Sequence, residues 1–233
     1  MTFKKYLCLF TLTLGASFGQ AQQGGADVPF RIRAALHDPV HPAAILFYPD
    51  KAGILTKLEL EPTDLSSPII TQLTNGSLVL YDKITIDPKN PEASLAASCK
   101  IPPGAKQGLI LIFPSQPGVK PAYRLVFIND SAKEFPKGES RVLTLVPMEA
   151  ALEAGEHKVP IHPGEIARVP PVKKVNDYNR AQTNFYYKKG DVWTAIAERQ
   201  LQYLDDYRRI FIVHSTPGAS EPSIRTILDN TTP

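Results

Sequence analysis

Turn residues divide this chain into short segments, and that division constrains the fold more than any other feature. The 233 residues include 22 prolines and 14 glycines, spread along the chain instead of gathered in one tract. Proline interrupts helices and glycine enters tight turns readily, so this spacing excludes a bundle of long helices. The intervening apolar or alternating runs are typical of β-strands. These runs are 30–36, 44–48, 55–60, 77–81, 93–99, 108–113, 123–128, 141–146, 165–169, 184–187 and 209–213.

Two of these runs indicate different kinds of strand. Residues 123–127, Tyr-Arg-Leu-Val-Phe, alternate between polar and apolar side chains, as a half-buried strand requires. Residues 109–113, Leu-Ile-Leu-Ile-Phe, are continuously apolar, which predicts a central strand covered on both faces. Asn75-Gly76 predicts a tight hairpin turn because both residues tolerate positive φ.

The pattern predicts an all-β, mainly antiparallel fold of one or two immunoglobulin-like sandwiches. With two sandwiches, the halves would be 30–115 and 121–230, joined by the Pro- and Gly-rich segment 114–121. A single continuous sandwich is the alternative. Turns of the Pro-Gly or Pro-x-Gly type precede three strand-like runs, and we interpret them as one recurring local device. They begin at Pro103, Pro136 and Pro163.

One segment is compatible with two secondary structures. Between 191 and 208 apolar residues recur at helical spacing, which predicts a short helix near 192–206. The same residues also suit a strand that turns at Asp205-Asp206 and pairs with 209–214, and we favour this hairpin. Residues 148–155 are similarly ambiguous and could form one helical turn.

The N-terminus predicts export. Lys4 and Lys5 precede an apolar run at 6–14, and Gly19-Gln-Ala21 resembles a signal-peptidase site. We therefore interpret 1–21 as a signal peptide and 22–29 as a flexible segment of a secreted or periplasmic protein. The apolar run is about half of the roughly 20 residues needed to span a bilayer, so the processed chain is not expected to cross a membrane.

Charge and cysteine content exclude other classes. The chain has 26 Lys and Arg against 23 Asp and Glu, and removal of the signal peptide brings the two counts closer. Bulk attraction to nucleic acid is therefore not expected. Cys8 lies within the signal peptide, so Cys99 would be the only cysteine left and no intrachain disulfide could form. We expect Cys99 to be a small buried side chain.

Aromatic and basic residues are concentrated in one stretch. Aromatic rings beside cations suit stacking on sugars, so the stretch predicts a binding face for an envelope glycan. The alternative is an ordinary strand in which Phe185 and Tyr187 face one side and Tyr186 the other. The candidate ligand-binding residues are Tyr178, Arg180, Phe185, Tyr186, Tyr187, Lys188 and Lys189.

Catalytic and metal-binding patterns are weak. The pairs His37/His41 and His157/His162 could supply metal ligands, but prolines interrupt both pairs. His214-Ser215 is adjacent only in sequence, and a turn explains Asp205-Asp206 as well as acid-base chemistry does. Motifs for nucleophilic catalysis and phosphate binding are absent from the sequence. We therefore expect a non-enzymatic protein without a metal or cofactor.

The segment 123–131 and the Pro-Gly-Glu turn at 163–165 resemble immunoglobulin-like accessory domains of uncharacterised exported bacterial proteins. The resemblance is best over 120–170 and implies a fold without catalytic residues. Paired cysteines around a tryptophan, as in antibody domains, are missing. We expect a binding or assembly role in the cell envelope through sheet edges, with a protein partner or a second copy. Glycan binding at the aromatic and basic stretch, and a metal or hydrolase site at the histidines, are the alternatives.

Overall fold

The computed structural model describes residues 29–38, 44–216 and 218–230, and its elements confirm the all-β prediction. Its first eight strands are β1 Pro29–Leu36, β2 Phe47–Pro49, β3 Leu55–Lys57, β4 Ile69–Gln72, β5 Ser77–Tyr81, β6 Leu95–Lys100, β7 Gln107–Pro114 and β8 Tyr123–Asn129. The next eight are β9 Ser140–Thr144, β10 Ala150–Ala154, β11 His157–Ile161, β12 Ile166–Val169, β13 Arg180–Lys189, β14 Val192–Gln202, β15 Arg208–Ser215 and β16 Pro222–Asp229. Within the described ranges the helical content is one 3-10 turn, Pro91–Ser94.

The described strands form four sheets of four strands each. Sheet A has the order β4-β1-β7-β8 and sheet B the order β3-β2-β5-β6. Sheet C has the order β12-β9-β15-β16 and sheet D the order β11-β10-β13-β14. Adding eight to each strand number of A and B gives C and D, so the two halves have the same topology. Most neighbours are antiparallel, as expected, but β1 runs parallel to β7 and β9 runs parallel to β15.

Apolar side chains arrange the sheets as four layers in the order B, A, C, D. One described cluster lies between B and A and includes Ile110 and Ile112 of β7. A second lies between C and D and includes Phe185 and Phe211, whose ring centroids are 5.1 Å apart. A third joins A to C through alternate side chains of the same strands, among them Leu111 and Ile212. Sheets A and C are therefore covered on both faces, which confirms the central-strand prediction for 109–113.

A buried ionic cluster joins the two halves at one end of the A–C interface. Arg33 of β1 donates hydrogen bonds to Asp130, which follows β8, and to Asp229 of β16 at 2.7 Å. Arg208 of β15 donates to Asp130 at 2.8 Å and also contacts Asp229. All four side chains are almost fully buried. Because each half contributes an arginine and an aspartate, the cluster links the sandwiches through charges that have no access to water.

The expected linker at 114–121 is instead a connection within sheet A. Strands β7 and β8, on either side of it, pair in register from Gly108↔Asn129 to Pro114↔Tyr123. The chain passes from the first sandwich to the second after Asp130 and before Ser140. Dense proline and glycine indicate a turn, but they do not distinguish a turn inside a sheet from a turn between sandwiches.

The segment near 192–206 is a strand, so the predicted short helix is wrong. Its partner is β13, from Arg180↔Gln202 to Lys189↔Val192, and the connection passes through Gly190 with φ +62°. The favoured hairpin with 209–214 is also wrong, because β15 lies in sheet C. Residues 150–154 form β10 rather than a helical turn. Pairing with β13 supplies the hydrogen bonds that decide between two equally good local patterns.

The hairpin turn at Asn75-Gly76 is confirmed, with φ angles of +51° and +71°. Residues 1–28, which include the interpreted signal peptide and nearly all of the flexible segment, lie outside the described residues. The described part of the chain contains no helix with the length and hydrophobicity needed to cross a bilayer.

Candidate functional site

The aromatic and basic residues do not assemble into one site. Strand β13 alternates, so Phe185 and Tyr187 point into the core and are 0% and 2% exposed. These two rings cannot contact a ligand, which corrects their assignment as binding residues. Tyr178 precedes the strand and is 74% exposed, at the end far from Lys188. The remaining candidates are partly or fully exposed but divide between the two ends of the strand: Arg180, Tyr186, Lys188 and Lys189.

Two of the predicted binding residues, Tyr186 and Lys188, lie together on the outer face of sheet D. Tyr186 and Lys188 point outward, and Trp193 of β14, opposite Lys188, lies beside them. Tyr186 and Trp193 border a cavity of about 420 Å³. Sequence reasoning missed Trp193 because its strand was paired with the wrong partner.

Acidic residues neutralise the cations on this face. The Lys188 ammonium contacts Glu149 at 3.3 Å, and the Lys158 ammonium contacts Glu153 at 2.7 Å. The hydrogen bond from Lys158 lowers the pKa of Glu153. An anionic glycan would have to compete with these carboxylates, so the face suits a neutral ligand better.

Strand β14 presents an open edge. It is the longest strand in the described ranges, with 11 residues, and pairs only with β13. The backbone of 192–201 makes no other hydrogen bond within the described part of the chain. Val192 and Trp193, at its start, are 67% and 47% exposed. An edge of this kind can pair with another extended chain.

The predicted histidine pairs do not converge. His157 and His162 lie at opposite ends of β11, where His157 contacts the Pro171 carbonyl and His162 approaches Glu149. His41 lies outside the described residues, and His37 is in the other sandwich. No group of three or more potential metal ligands occurs in the described ranges.

His37 instead meets His214 across the A–C interface. Their ring centroids are 4.3 Å apart, with an angle of 66° between the planes. Arg225 of β16 lies 3.2 Å from Nδ1 of His37 and can only donate, so this nitrogen carries no proton. Burial, together with the charges of His214 and Arg225, lowers the pKa of His37 to about 4. Burial also lowers the pKa of His214.

A buried carboxylate completes this end of the interface. Asp38 accepts a hydrogen bond from the Tyr123 hydroxyl at 3.1 Å. Burial and the neighbouring Asp38 raise the pKa of Tyr123 to about 12, so the hydroxyl keeps its proton. His214 lies 3.5 Å from the Ser215 carbonyl oxygen, and no hydrogen bond joins it to the Ser215 hydroxyl within the described residues. The described residues at this end therefore include no hydrogen-bonded pair of nucleophile and base.

These groups lie at one end of a long groove between the sandwiches. The groove consists of two overlapping cavities of about 760 and 800 Å³. The first is bordered by the histidines and by Phe113, Val119 and Leu145, and the second extends past Val126 to Ile166. Both cavities share Arg124 of β8. Sequence reasoning missed the groove because its walls come from five strands and the loops beside them, which are distant in sequence.

The acidic pair Asp205-Asp206 occupies a turn. Asp205 is exposed and contacts the Lys173 ammonium at 2.8 Å. The turn explains this pair without a catalytic role.

No protein-family model matches the chain, and a search of curated proteins finds no relative.

Proposed function

We propose that this chain is an exported, non-enzymatic binding or assembly protein of the cell envelope that takes up an extended segment of a protein partner at β14. The observation that carries the proposal is the 11-residue edge of β14, which pairs on one side only. An added strand would satisfy the outward backbone groups of β14 and extend sheet D to five strands.

The composition of β14 favours strand pairing along only part of its edge. Its first half, Val-Trp-Thr-Ala-Ile-Ala, is largely apolar, whereas Glu198, Arg199 and Gln200 follow in the second half. Charges near an edge discourage uncontrolled sheet extension. The register also shifts opposite Phe185/Tyr186, which interrupts the regular ladder. Pairing is therefore best supported along 192–195, next to the exposed Trp193.

The test uses a photoreactive amino acid at single positions of β14 in the protein's own host. A probe at Val192 should form adducts with one partner, whereas a probe at Tyr178, an equally accessible position at the far end of the hairpin, should not. Sedimentation of the purified protein shows whether that partner is a second copy. Equal labelling from both positions would contradict the proposal.

Backbone pairing is tested with two adjacent substitutions, Thr194→Pro and Ala195→Pro. Successive amides of a strand point to opposite sides, so one substitution removes a bond to β13 and the other removes an outward donor. The variant that keeps the wild-type melting temperature identifies the outward amide. We expect this variant to lose the adduct, and an undiminished adduct would exclude strand addition.

A second candidate function is the binding of a neutral glycan on the outer face of sheet D. The observation that favours it is the exposure of Trp193 next to Tyr186 above a concave surface. Tyr186→Ala distinguishes the two candidates, because Tyr186 belongs to β13 and not to the open edge. Loss of sugar binding with unchanged partner crosslinking would support the glycan site.

A further inference from the structure

The repeated topology shows which positions of the two sandwiches correspond. The segments at the ends of β8 and β16 are Ile128-Asn-Asp130, in which Asp130 follows the strand, and Ile227-Leu-Asp229. Both aspartates belong to the buried ionic cluster. Both isoleucines also pack in the A–C core. Counting back from these ends, Arg225 of β16 corresponds to Val126 of β8.

Arg225 fills the space between its own strand and the first sandwich. Its guanidinium donates to the carbonyl of Leu36, at the end of β1, at 2.6 Å. It also approaches the carbonyl of Pro62 at 3.4 Å, in addition to Nδ1 of His37. Three polar contacts of the guanidinium therefore join β16 to the first sandwich.

The corresponding space on the other side is open. Leu36 corresponds to Thr144, because each ends the strand that runs parallel to the central one. Val126 faces this end of β9 with a short apolar side chain, and the larger cavity lies between Val126, Leu143 and Thr144. The groove therefore lies beside β8, which has Val126 at the position where β16 has the space-filling Arg225.

One cation lies where the two parts of the groove meet. Arg124 is exposed and makes no hydrogen bond or ion pair with any residue that the structure describes. Two acidic residues also line the groove: Asp38 accepts a hydrogen bond from Tyr123, and Glu165 forms no ion pair with Arg124 in the described part of the chain. The walls near Arg124 are mainly apolar. A site with apolar walls and one free guanidinium complements an anion attached to an apolar body.

We propose that this groove binds a carboxylic acid with an apolar body, whose carboxylate pairs with Arg124 and whose body packs on Phe113, Val119 and Leu145. The cavity at this end, about 760 Å³, has the size of a typical small-molecule site. The groove lies between sheets A and C, sheet D packs on the other face of sheet C, and no residue of β14 lines the groove, so the two proposed sites have no residue in common.

Titration calorimetry with decanoate tests the proposal on the full-length secreted protein at neutral pH and low salt. We expect saturable binding of one decanoate and markedly weaker binding of decanol, which has the same chain without the charge. Arg124→Gln should weaken decanoate binding about tenfold, the effect of losing one charge-assisted hydrogen-bonded pair, without changing decanol binding. Arg180→Gln, which removes another exposed arginine, is the matched control and should bind decanoate like the wild type.

Val126→Arg tests the origin of the groove, because it copies the residue of the second sandwich into the first. The new guanidinium should fill the larger cavity and leave the cavity of about 760 Å³ open, so decanoate, whose body packs on Phe113, Val119 and Leu145, should still bind. Loss of decanoate binding in this variant, if it is folded, would contradict the proposed position of the ligand. Circular dichroism and the melting temperature verify that both arginine variants are folded. The proposal is wrong if decanoate shows no saturation, if decanol binds as tightly, or if Arg124→Gln and Arg180→Gln behave alike.

Discussion

Acid should destabilise this protein through His37, and a single substitution should remove most of that effect. The pKa of His37 is about 4 in the folded protein and 6.5 in an unfolded chain. Between these values the unfolded chain binds a proton that the folded protein does not. The contribution of His37 to the free energy of unfolding is therefore fully present above pH 6.5 and is lost as the pH falls towards 4. Below pH 4, titration of His37 causes no further loss of stability.

The magnitude follows from the difference in pKa. A gap of about 2.5 units corresponds to at most about 3.4 kcal/mol, at about 1.36 kcal/mol per unit. His37 is only partly buried, so solvent screening reduces the expected loss to about 1–2 kcal/mol. Burial is the main reason why the charged form of His37 is disfavoured, and the charges of His214 and Arg225 add to it. The proton would also have to enter at Nδ1, where Arg225 donates.

Urea unfolding of the wild type and His37→Gln at about pH 7.5 and about pH 4.5 measures this contribution. The wild type should lose about 1–2 kcal/mol more than the variant between the two pH values, even if the variant is less stable at both. His162→Gln, at a half-exposed histidine of the other sandwich, should keep the wild-type difference. An identical pH dependence in the wild type and His37→Gln would refute the argument.

Three further predictions concern stability and reactivity. Asp229→Asn leaves buried arginines without a full counter-charge and should cost about 3–5 kcal/mol in urea unfolding, whereas Glu59→Gln in an exposed ion pair should cost less than about 1 kcal/mol. Gly108→Ala would place a Cβ 2.3 Å from the Phe127 ring and should cost about 1–3 kcal/mol; an unchanged melting temperature would contradict this close contact. Burial raises the pKa of Cys99 to about 11, so a thiol reagent should react slowly with the folded protein and rapidly after unfolding, and equal rates would show that the thiol is accessible.

The strands of the A–C interface were predictable from the sequence because their patterns are unambiguous. Residues 109–113 are apolar at every position, and only a strand covered on both faces buries all of them. Residues 210–213, Ile-Phe-Ile-Val, show the same pattern in sheet C. The all-β class followed from such runs and from the turns between them.

Pairing and topology were not predictable from local patterns. Residues 192–202 suit a helix, a hairpin with 209–214 or a hairpin with 180–189, and only tertiary contacts select the last. The Pro-Gly and Pro-x-Gly turns precede β7, β9 and β12, which are not equivalent strands in the two halves. The turns thus recur as a local device, as interpreted, while the repeat itself is visible only in the strand order.

For the candidate sites too, local patterns were informative and the contacts between distant strands were not predictable. The alternating pattern of β13 predicts an ordinary strand as the alternative to a glycan face, and this alternation buries Phe185 and Tyr187. The groove depends on the meeting of β7, β8, β9, β12 and β15, and no window of the sequence contains these strands together. His37 and His214, more than 170 residues apart in sequence, illustrate why spacing rules for histidine ligands did not apply.

The ionic cluster also places both ends of the described fold at one pole. Arg31, in the first half of β1, pairs with Gln107 at the start of β7, and Asp229, the partner of Arg33, ends β16. The chain therefore enters and leaves the sandwiches at the same end. His37, Thr144 and His214 lie at the other ends of their strands, at the opposite pole. A tether or a fused protein attached before β1 or after β16 would hold that near pole against its support. The groove would then face outward, with its mouth open to the surrounding medium.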